Sequence, residues 1–411
     1  MKHTTNTQGI STLMNHLGET HHAEDAHVMP IYQTSAFGAP AWAELDAKFA
    51  GTAPGYYYTR AGNPNAAQVA EKIAALEALD WLRAHPDTPL NEMVQGEMFA
   101  SGMGAISAGL LARLHAGDVL LAQRAIYGGT YGLLRTVASK LGIQVVWVED
   151  DSQKGWEAAF AQYPHATMVY AETPINPSLK LVDLTALSAL AHDHNAWVMV
   201  DNTFATPYCQ RPLTLGADIV VHSTTKFLSG HGAVIGGALV SPQLDFMQND
   251  VRGILQTVGA SPSPFDGWLT HLGLKTFELR MEKHCDNTKI LAKYLAKNQK
   301  VTQVNYPGLE THPQHTLARQ QMHAFGGMLS FELTGGFEAG VNFINRVQIA
   351  TMIGSLGNVD TLVSHPASMS HRELPRETRL ATGIPDGLVR VSVGIENIED
   401  LLQDFERALG G

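Results

Sequence analysis

Two residues set the chemical question: Lys226, just after a short apolar run, and Asp201, which closes another such run 25 residues earlier. The runs are Trp197-Val198-Met199-Val200 and Ile219-Val220-Val221, both of strand character. The C-terminal edge of parallel strands is where an α/β sheet opens a crevice for a ligand. A lysine amine there can form a covalent carbon–nitrogen linkage to a carbonyl, and a carboxylate there can keep a heterocyclic nitrogen protonated. Ser223 and Thr225, in Val221-His222-Ser223-Thr224-Thr225-Lys226, offer hydroxyls to an anion. Ser101-Gly102-Met103-Gly104 lies between the run Met98-Phe99-Ala100 and a helix starting near Ala105. Small residues there let backbone N–H groups and the helix dipole close on a phosphate. Tyr127, in Ile126-Tyr127-Gly128-Gly129-Thr130, follows another strand end and can stack on a flat ring, while Arg390, in a late strand, can fork onto a carboxylate. A lysine, a carboxylate for a ring nitrogen, phosphate donors and an aromatic face are what pyridoxal 5'-phosphate demands of a protein. Singly, each feature has a plain structural reading: a solvated lysine, a helix-capping aspartate, an ordinary glycine turn. Their order at successive strand ends is what joins them.

Such residues need a scaffold. Short apolar runs at 119–121, 145–148, 167–170, 197–200 and 219–221 alternate with helical segments at 130–141 and 184–194, a rhythm that predicts a mostly parallel sheet covered by helices on both faces. Asn63-Pro64 is a helix start, an N-cap followed by proline, and Val69, Ile73, Leu76 and Leu79 continue it at helical spacing. Residues 63–265 therefore read as one α/β cofactor-binding domain. Residues 1–62 lack sustained periodicity and read as an extended N-terminal arm. Residues 266–411 read as a smaller C-terminal α+β domain, with a long helix at 276–295, strands at 328–333 and 388–393, and a final helix through Leu401 and Phe405. The 83–97 stretch reads as a loop.

Composition narrows the class. A chain of 411 residues, 45% hydrophobic, can bury a large core. With 16% charged residues and a net charge of -11, it carries neither a basic nucleic-acid footprint nor a polybasic membrane patch, so a small molecule is the expected partner. Cys209 and Cys285 are too few for a disulfide framework, and Met1-Lys2-His3-Thr4-Thr5-Asn6 opens no apolar leader, so a soluble cytoplasmic protein is expected. The histidine groups His21-His22, His192-His194 and His312-His315 lack companion ligands, and no metal site is expected. Neither a Gly-x-Ser-x-Gly elbow nor a zinc motif supports a hydrolase.

At the same residues the chain resembles a known family. Ser101-Gly102-Met103-Gly104, Asp201-Asn202-Thr203-Phe204-Ala205-Thr206-Pro207 and the lysine segment through Gly237 are similar to the Cys/Met-metabolism pyridoxal-phosphate enzymes, the trans-sulfuration group with a type I aminotransferase-like fold. Tyr58-Thr59-Arg60-Ala61-Gly62-Asn63-Pro64 matches the family segment whose tyrosine and arginine reach the cofactor phosphate of a neighbouring subunit. The resemblance thus implies a homo-oligomer with shared sites, a homotetramer being usual. It also implies that Asn176 lies near the cofactor's phenolic oxygen and that Ser355 and Arg390 hold the substrate carboxylate.

Within the family, Glu172-Thr173-Pro174-Ile175-Asn176-Pro177, Arg280-Met281-Glu282-Lys283-His284-Cys285 and His365-Pro366-Ala367-Ser368-Met369-Ser370-His371 resemble the methionine γ-lyase branch. That implies γ-elimination on a sulfur amino acid, with Lys226 as the mobile base and Tyr127 as proton donor to the leaving group. Two departures leave γ-replacement on a homoserine ester open: Gly129 replaces a cysteine usual in that branch, and Gly253-Ile254-Leu255-Gln256 lacks its lysine–aspartate pair. Gly354, where cystathionine-handling members tend to carry glutamate, argues against cystathionine. A non-catalytic binding protein on the same fold is the reading from a different class.

Overall fold

The computed structural model describes residues 8–19 and 22–410. The chain start Met1 to Asn6 and His21, both read above, lie outside the described residues. Seven strands form the larger sheet: β1 (Gln95–Phe99), β2 (Val119–Gln123), β3 (Gln144–Val148), β4 (Met168–Glu172), β5 (Trp197–Asp201), β6 (Ile219–His222) and β7 (Gly237–Ser241), in the order β1-β7-β6-β5-β4-β2-β3. All neighbouring pairs are parallel except those of β7, which runs antiparallel to both β6 and β1. Every residue of β4 to β7 except Trp197, at the start of β5, is buried, as expected when helices cover both faces of a parallel sheet. Val169, Ala171, Val198, Val200 and Val220 enter one core, while Met168, Tyr170, Met199, Ile219 and Val221 enter the other. This alternation is the period of two that decides which strand-end side chains meet.

The second sheet holds β8 (Val301–Asn305), β9 (Met328–Leu333), β10 (Thr351–Met352), β11 (Leu362–Ser364) and β12 (Leu388–Ser392), in the order β10-β11-β12-β9-β8. Leu329, Phe331, Val389 and Val391 pack there against Leu291 and Leu295 of the long helix Phe277–Leu295 and against Leu401 and Phe405 of the last helix, Ile398–Ala408.

Three local readings are refined. The arm is not extended throughout. Ile10–His16 is a helix whose Ile10, Leu13 and Met14, at i, i+3 and i+4, are buried in the core of the same chain, and Trp42–Phe49 is a second, more exposed helix. The helix expected at 130–141 begins at Gly128 and ends at Thr136, with a 3-10 turn over Ala138–Leu141. The stretch 83–97 holds the short helix Leu90–Met93 and the start of β1 rather than a loop alone. Among the described residues no helix is long and apolar enough to cross a membrane, and no group of three or more His, Cys, Asp or Glu is placed to hold a metal ion.

Candidate active site

Asp201 continues the Met199 side of β5, and Glu172 continues the Tyr170 side of β4. The register sets Glu172 opposite Asp201 and Asp201 opposite Val221, so two carboxyl groups stand at neighbouring parallel strand ends, one strand spacing (about 4.8 Å) apart. Both are nearly sealed from solvent, with Asp201 9% and Glu172 4% exposed. Burial raises the pKa of each, and Asp201 raises that of Glu172 further, because two adjacent negative charges resist ionising together. Asp201 Oδ1 accepts the Thr203 N–H at 3.0 Å, which pulls the other way. Among the described residues Asp201 takes part in no ion pair, although the His222 ring also acts to lower its pKa.

Ser101 caps the helix Gly102–Arg113, its Oγ accepting the Gly104 N–H at 3.0 Å. The Gly102 and Met103 N–H groups at this helix start have no partner among the described residues. A Cβ on Gly102 would fall 2.9 Å from Ser223 Cβ, so only glycine lets the helix start approach the Ser223 segment this closely. The unpartnered N–H groups, Ser101 and Ser223 are thereby neighbours at one helix N-terminus, whose dipole favours an anion. Thr225 adjoins it, but its hydroxyl is already engaged with Gly236: Oγ1 accepts the Gly236 N–H at 3.0 Å and donates to Gly236 O at 3.3 Å.

The Lys226 amine donates to Ser355 Oγ at 3.0 Å. Burial, and then the charge of Arg390, pull its pKa below the ordinary lysine range, favouring a nucleophilic amine. Ser355 comes this close because Gly357, at φ +79°, would place any Cβ 2.5 Å from Phe227 N. The Gly357 N–H is fixed by Ser392 Oγ at 2.7 Å, and Arg280 braces the segment after Lys226 by donating to Phe227 O at 2.7 Å and Leu228 O at 3.2 Å. Arg390 is buried on β12, its pKa lowered by burial to about 10; it donates to Ser355 O at 3.0 Å and to Asn176 Oδ1 at 3.1 Å. Lys226, Ser355, Arg390 and Asn176 are therefore one connected group, drawn from both sheets.

Tyr127 joins it through the backbone. Glu172 accepts the Tyr127 N–H at 2.8 Å and the Asn176 N–H at 3.0 Å, so one buried carboxyl ties the aromatic turn to the Asn176 turn. The Tyr127 side chain is 49% exposed and lies against Gly129, where a Cβ would stand 2.5 Å from Tyr127 Cε1. Met103 lies beneath, its sulfur 3.9 Å from Thr130 Oγ1 and 3.1 Å from that same Cβ position. Sequence reasoning gave Glu172 no role. The signal was present: a glutamate ending an apolar strand, the same signature as Asp201.

Tyr58 and Arg60 stand apart. Tyr58 is 42% exposed and forms a bridge with Ala36, and Arg60 packs over the Tyr58 ring and donates to Gln256 O. No hydrogen bond joins either of them to Lys226, Asp201, Ser101 or Ser223 among the described residues.

This geometry can be set beside known proteins. The family model of Cys/Met metabolism PLP-dependent enzymes matches residues 11–410. The chain is 44% identical over 406 residues to an L-methionine gamma-lyase of Fusobacterium nucleatum subsp. polymorphum, covering 98% of this chain and 99% of that protein. This chain belongs to the Cys/Met metabolism PLP-dependent enzymes. Family members of other named activities are similar as well. A cystathionine beta-lyase of Lactococcus lactis subsp. cremoris is 41% identical over 401 residues, covering 97% of this chain and 98% of that one. The crystal structure of cystathionine gamma synthase from Xanthomonas oryzae pv. oryzae, in complex with aminoacrylate and cysteine, matches with a TM-score of 0.89 at 37% identity over 98% of each chain.

The protein is thus a PLP-dependent lyase or transferase of sulfur amino acid metabolism with a type I aminotransferase-like fold, and pyridoxal 5'-phosphate is its cofactor. The residues fit that group. A buried carboxyl outside any ion pair suits a protonated pyridine nitrogen, the unpartnered N–H groups of the helix start beside Ser223 suit a phosphate, and a lysine amine of lowered pKa follows three residues after Ser223.

Proposed function

We propose that this enzyme carries out γ-elimination on L-methionine, which with one water yields methanethiol, 2-oxobutanoate and ammonia. The observation that carries the reading is the connected set Lys226–Ser355–Arg390, with the lysine amine 3.0 Å from Ser355 Oγ and the guanidinium 3.0 Å from Ser355 O. A substrate carboxylate held by the Arg390 fork and Ser355 brings its α carbon within reach of the Lys226 amine. The 44% identity over 98% of the chain with an L-methionine gamma-lyase supports methionine as substrate.

Bound pyridoxal phosphate supplies an electron sink for charge developing on the substrate's α and β carbons. Asp201 keeps the ring nitrogen protonated, since its buried carboxylate is favoured only beside a positive charge. Ser101, Ser223 and the Gly102 and Met103 N–H groups would hold the phosphate, joined by Thr225 once its hydroxyl hydrogen turns away from Gly236 O, and Asn176 would face the ring's phenolic oxygen. Lys226 would take the proton from the α carbon, pass it on and, neutral again, take one from the β carbon, a double duty that a flexible amine on a four-carbon stem can perform. Tyr127 stacks on the ring and delivers a proton to the departing sulfur. Glu172 holds Tyr127 and Asn176 in register by their backbone N–H groups.

Tyr58 and Arg60 complete the phosphate site of a partner copy in a homotetramer. Their exposure and their separation from the Lys226 group in this chain support that placement. A second reading, γ-replacement with a homoserine ester and a thiol, is favoured by the structural match to a cystathionine gamma synthase and by Gly129, which lets the Tyr127 ring lie where a cysteine side chain would otherwise stand. Offering the purified holoenzyme methionine alone, and O-acetylhomoserine with sulfide, decides between them. The proposal expects 2-oxobutanoate and methanethiol from methionine; homocysteine from the ester with no turnover of methionine would replace it by the second reading.

A further inference from the structure

Behind the site, on the opposite face of the sheet, lies a buried polar network with no part in the chemistry above. Its hub is Glu77, the last residue of the helix Pro64–Glu77 and fully buried. Glu77 Oε1 accepts the Asn202 Nδ2–H at 2.9 Å and lies 2.7 Å from His222 Nε2. Asn202 Nδ2 also donates to Gln210 O at 2.9 Å, and Gln210 Nε2 donates to Thr173 O at 3.2 Å and to Asn202 Oδ1 at 3.3 Å. Gln321 closes the network by donating to Gln210 Oε1 at 3.0 Å. Glu77, Asn202, Gln210 and His222 are each 1% exposed or less. Interior polar groups are costly unless paired, so this arrangement needs a reason.

The reason lies in what these residues adjoin. Thr173 follows Glu172, Asn202 follows Asp201, and His222 precedes Ser223. Alternation along a strand sends each member of these pairs to opposite faces, so the residues facing the cofactor and those facing the network are neighbours on the same backbone. Three adjacent strand ends, β4, β5 and β6, are thereby bound together from behind while carrying the site in front.

We infer that Glu77 is a positioning residue for the cofactor: its carboxyl fixes the spacing between the turn that carries Asp201 and the turn that carries Ser223. The ring nitrogen and the phosphate of one rigid molecule must be gripped at once, so the separation of the two grips sets how much of each interaction is realised. Glu77 touches neither group and acts through Asn202 and His222. The inference rests on the reading of Asp201 and Ser223 as cofactor contacts.

The test is titration of full-length protein, stripped of cofactor, with pyridoxal phosphate, followed by visible absorption, together with the phosphorus NMR line of the holoenzyme and the melting temperature of the stripped protein. Glu77→Ala removes both bonds and is expected to raise the dissociation constant about tenfold or more and to shift the phosphorus line. Glu77→Gln, which keeps an acceptor oxygen, is expected to recover most of that loss. Asn202→Ser severs one arm and serves where Glu77→Ala fails to fold, with an expected rise of about threefold to tenfold. A dissociation constant and phosphorus line unchanged in Glu77→Ala, or in Asn202→Ser where that variant stands in, would overturn the inference. So would a Gln variant whose melting temperature recovers while its affinity stays at the Ala level. Asp201→Asn and Ser223→Ala, run alongside, separate the two ideas: if they too bind normally, the cofactor contacts are misassigned; if they weaken binding and Glu77→Ala does not, only the positioning role fails.

Discussion

Replacing Arg390 by alanine probes the substrate-binding part of the site most sharply. The guanidinium has five N–H donors, of which the structure commits one to Asn176 Oδ1 and one to Ser355 O, leaving enough for a two-point grip on a carboxylate. It is only 6% exposed, so any carboxylate it binds is held out of water. Truncating one partner of a buried, hydrogen-bonded charge pair costs about 2–5 kcal/mol, which corresponds to roughly a 30- to 5,000-fold fall in kcat/KM. Arg390→Lys keeps the charge but loses the planar fork, and a loss of about 1.5–3 kcal/mol, or roughly 10- to 150-fold, is expected. The assay is the rate of 2-oxobutanoate formation across methionine concentrations, with melting temperature as a check on folding. An amine analogue of the substrate lacking the carboxylate should bind wild type and Arg390→Ala with similar affinity. If Arg390→Ala keeps kcat/KM within about threefold of wild type while folded, the carboxylate is held elsewhere and the reasoning is wrong.

Three further outcomes are expected. Gly129→Cys must displace the Tyr127 ring, since a Cβ there stands 2.5 Å from Tyr127 Cε1; the ratio of elimination to replacement products should change by severalfold, and an unchanged ratio would separate that ring from partitioning. Burial lowers the His284 pKa from the ordinary 6.5 to about 4, so the folded protein holds this ring neutral while the unfolded chain protonates it. Its contribution to stability is present above pH 6.5 and is lost as pH falls towards 4; relative to His284→Asn, wild type should lose stability between pH 7 and pH 4.5 in denaturant titrations, and a constant difference would contradict the assignment. Arg60→Ala should weaken cofactor retention on dialysis although Arg60 forms no bond to the Lys226 group of its own chain, and normal retention would speak against a site shared between copies.

Some of the site is legible in sequence because it breaks a pattern. Asp201 is a carboxylate that ends a buried apolar strand, where alternation tells which face it takes, and Lys226 stands in the turn a few residues beyond the next one. Glu172 carries the same mark, yet its task is to accept two backbone N–H groups, and backbone partners leave no trace in residue types. The Glu77 network was invisible for another reason: its links to Asn202 and His222 span 125 and 145 positions, and only the sheet order brings them together. The Ile10–His16 helix escaped because seven residues give barely two turns, too few for periodicity to stand out. Asn176 and Ser355 lie on turns whose approach to Lys226 depends on packing between the two sheets, and there the family likeness carried the reading.

In the proposed function, Lys226 is the residue covalently joined to the cofactor. Reducing the holoenzyme with borohydride and mapping its peptides by mass spectrometry tests this directly. A pyridoxyl-phosphate adduct on the single peptide that contains Thr225-Lys226 is predicted, with loss of turnover. An adduct on any other lysine, or none on a protein that still turns over substrate, would contradict it.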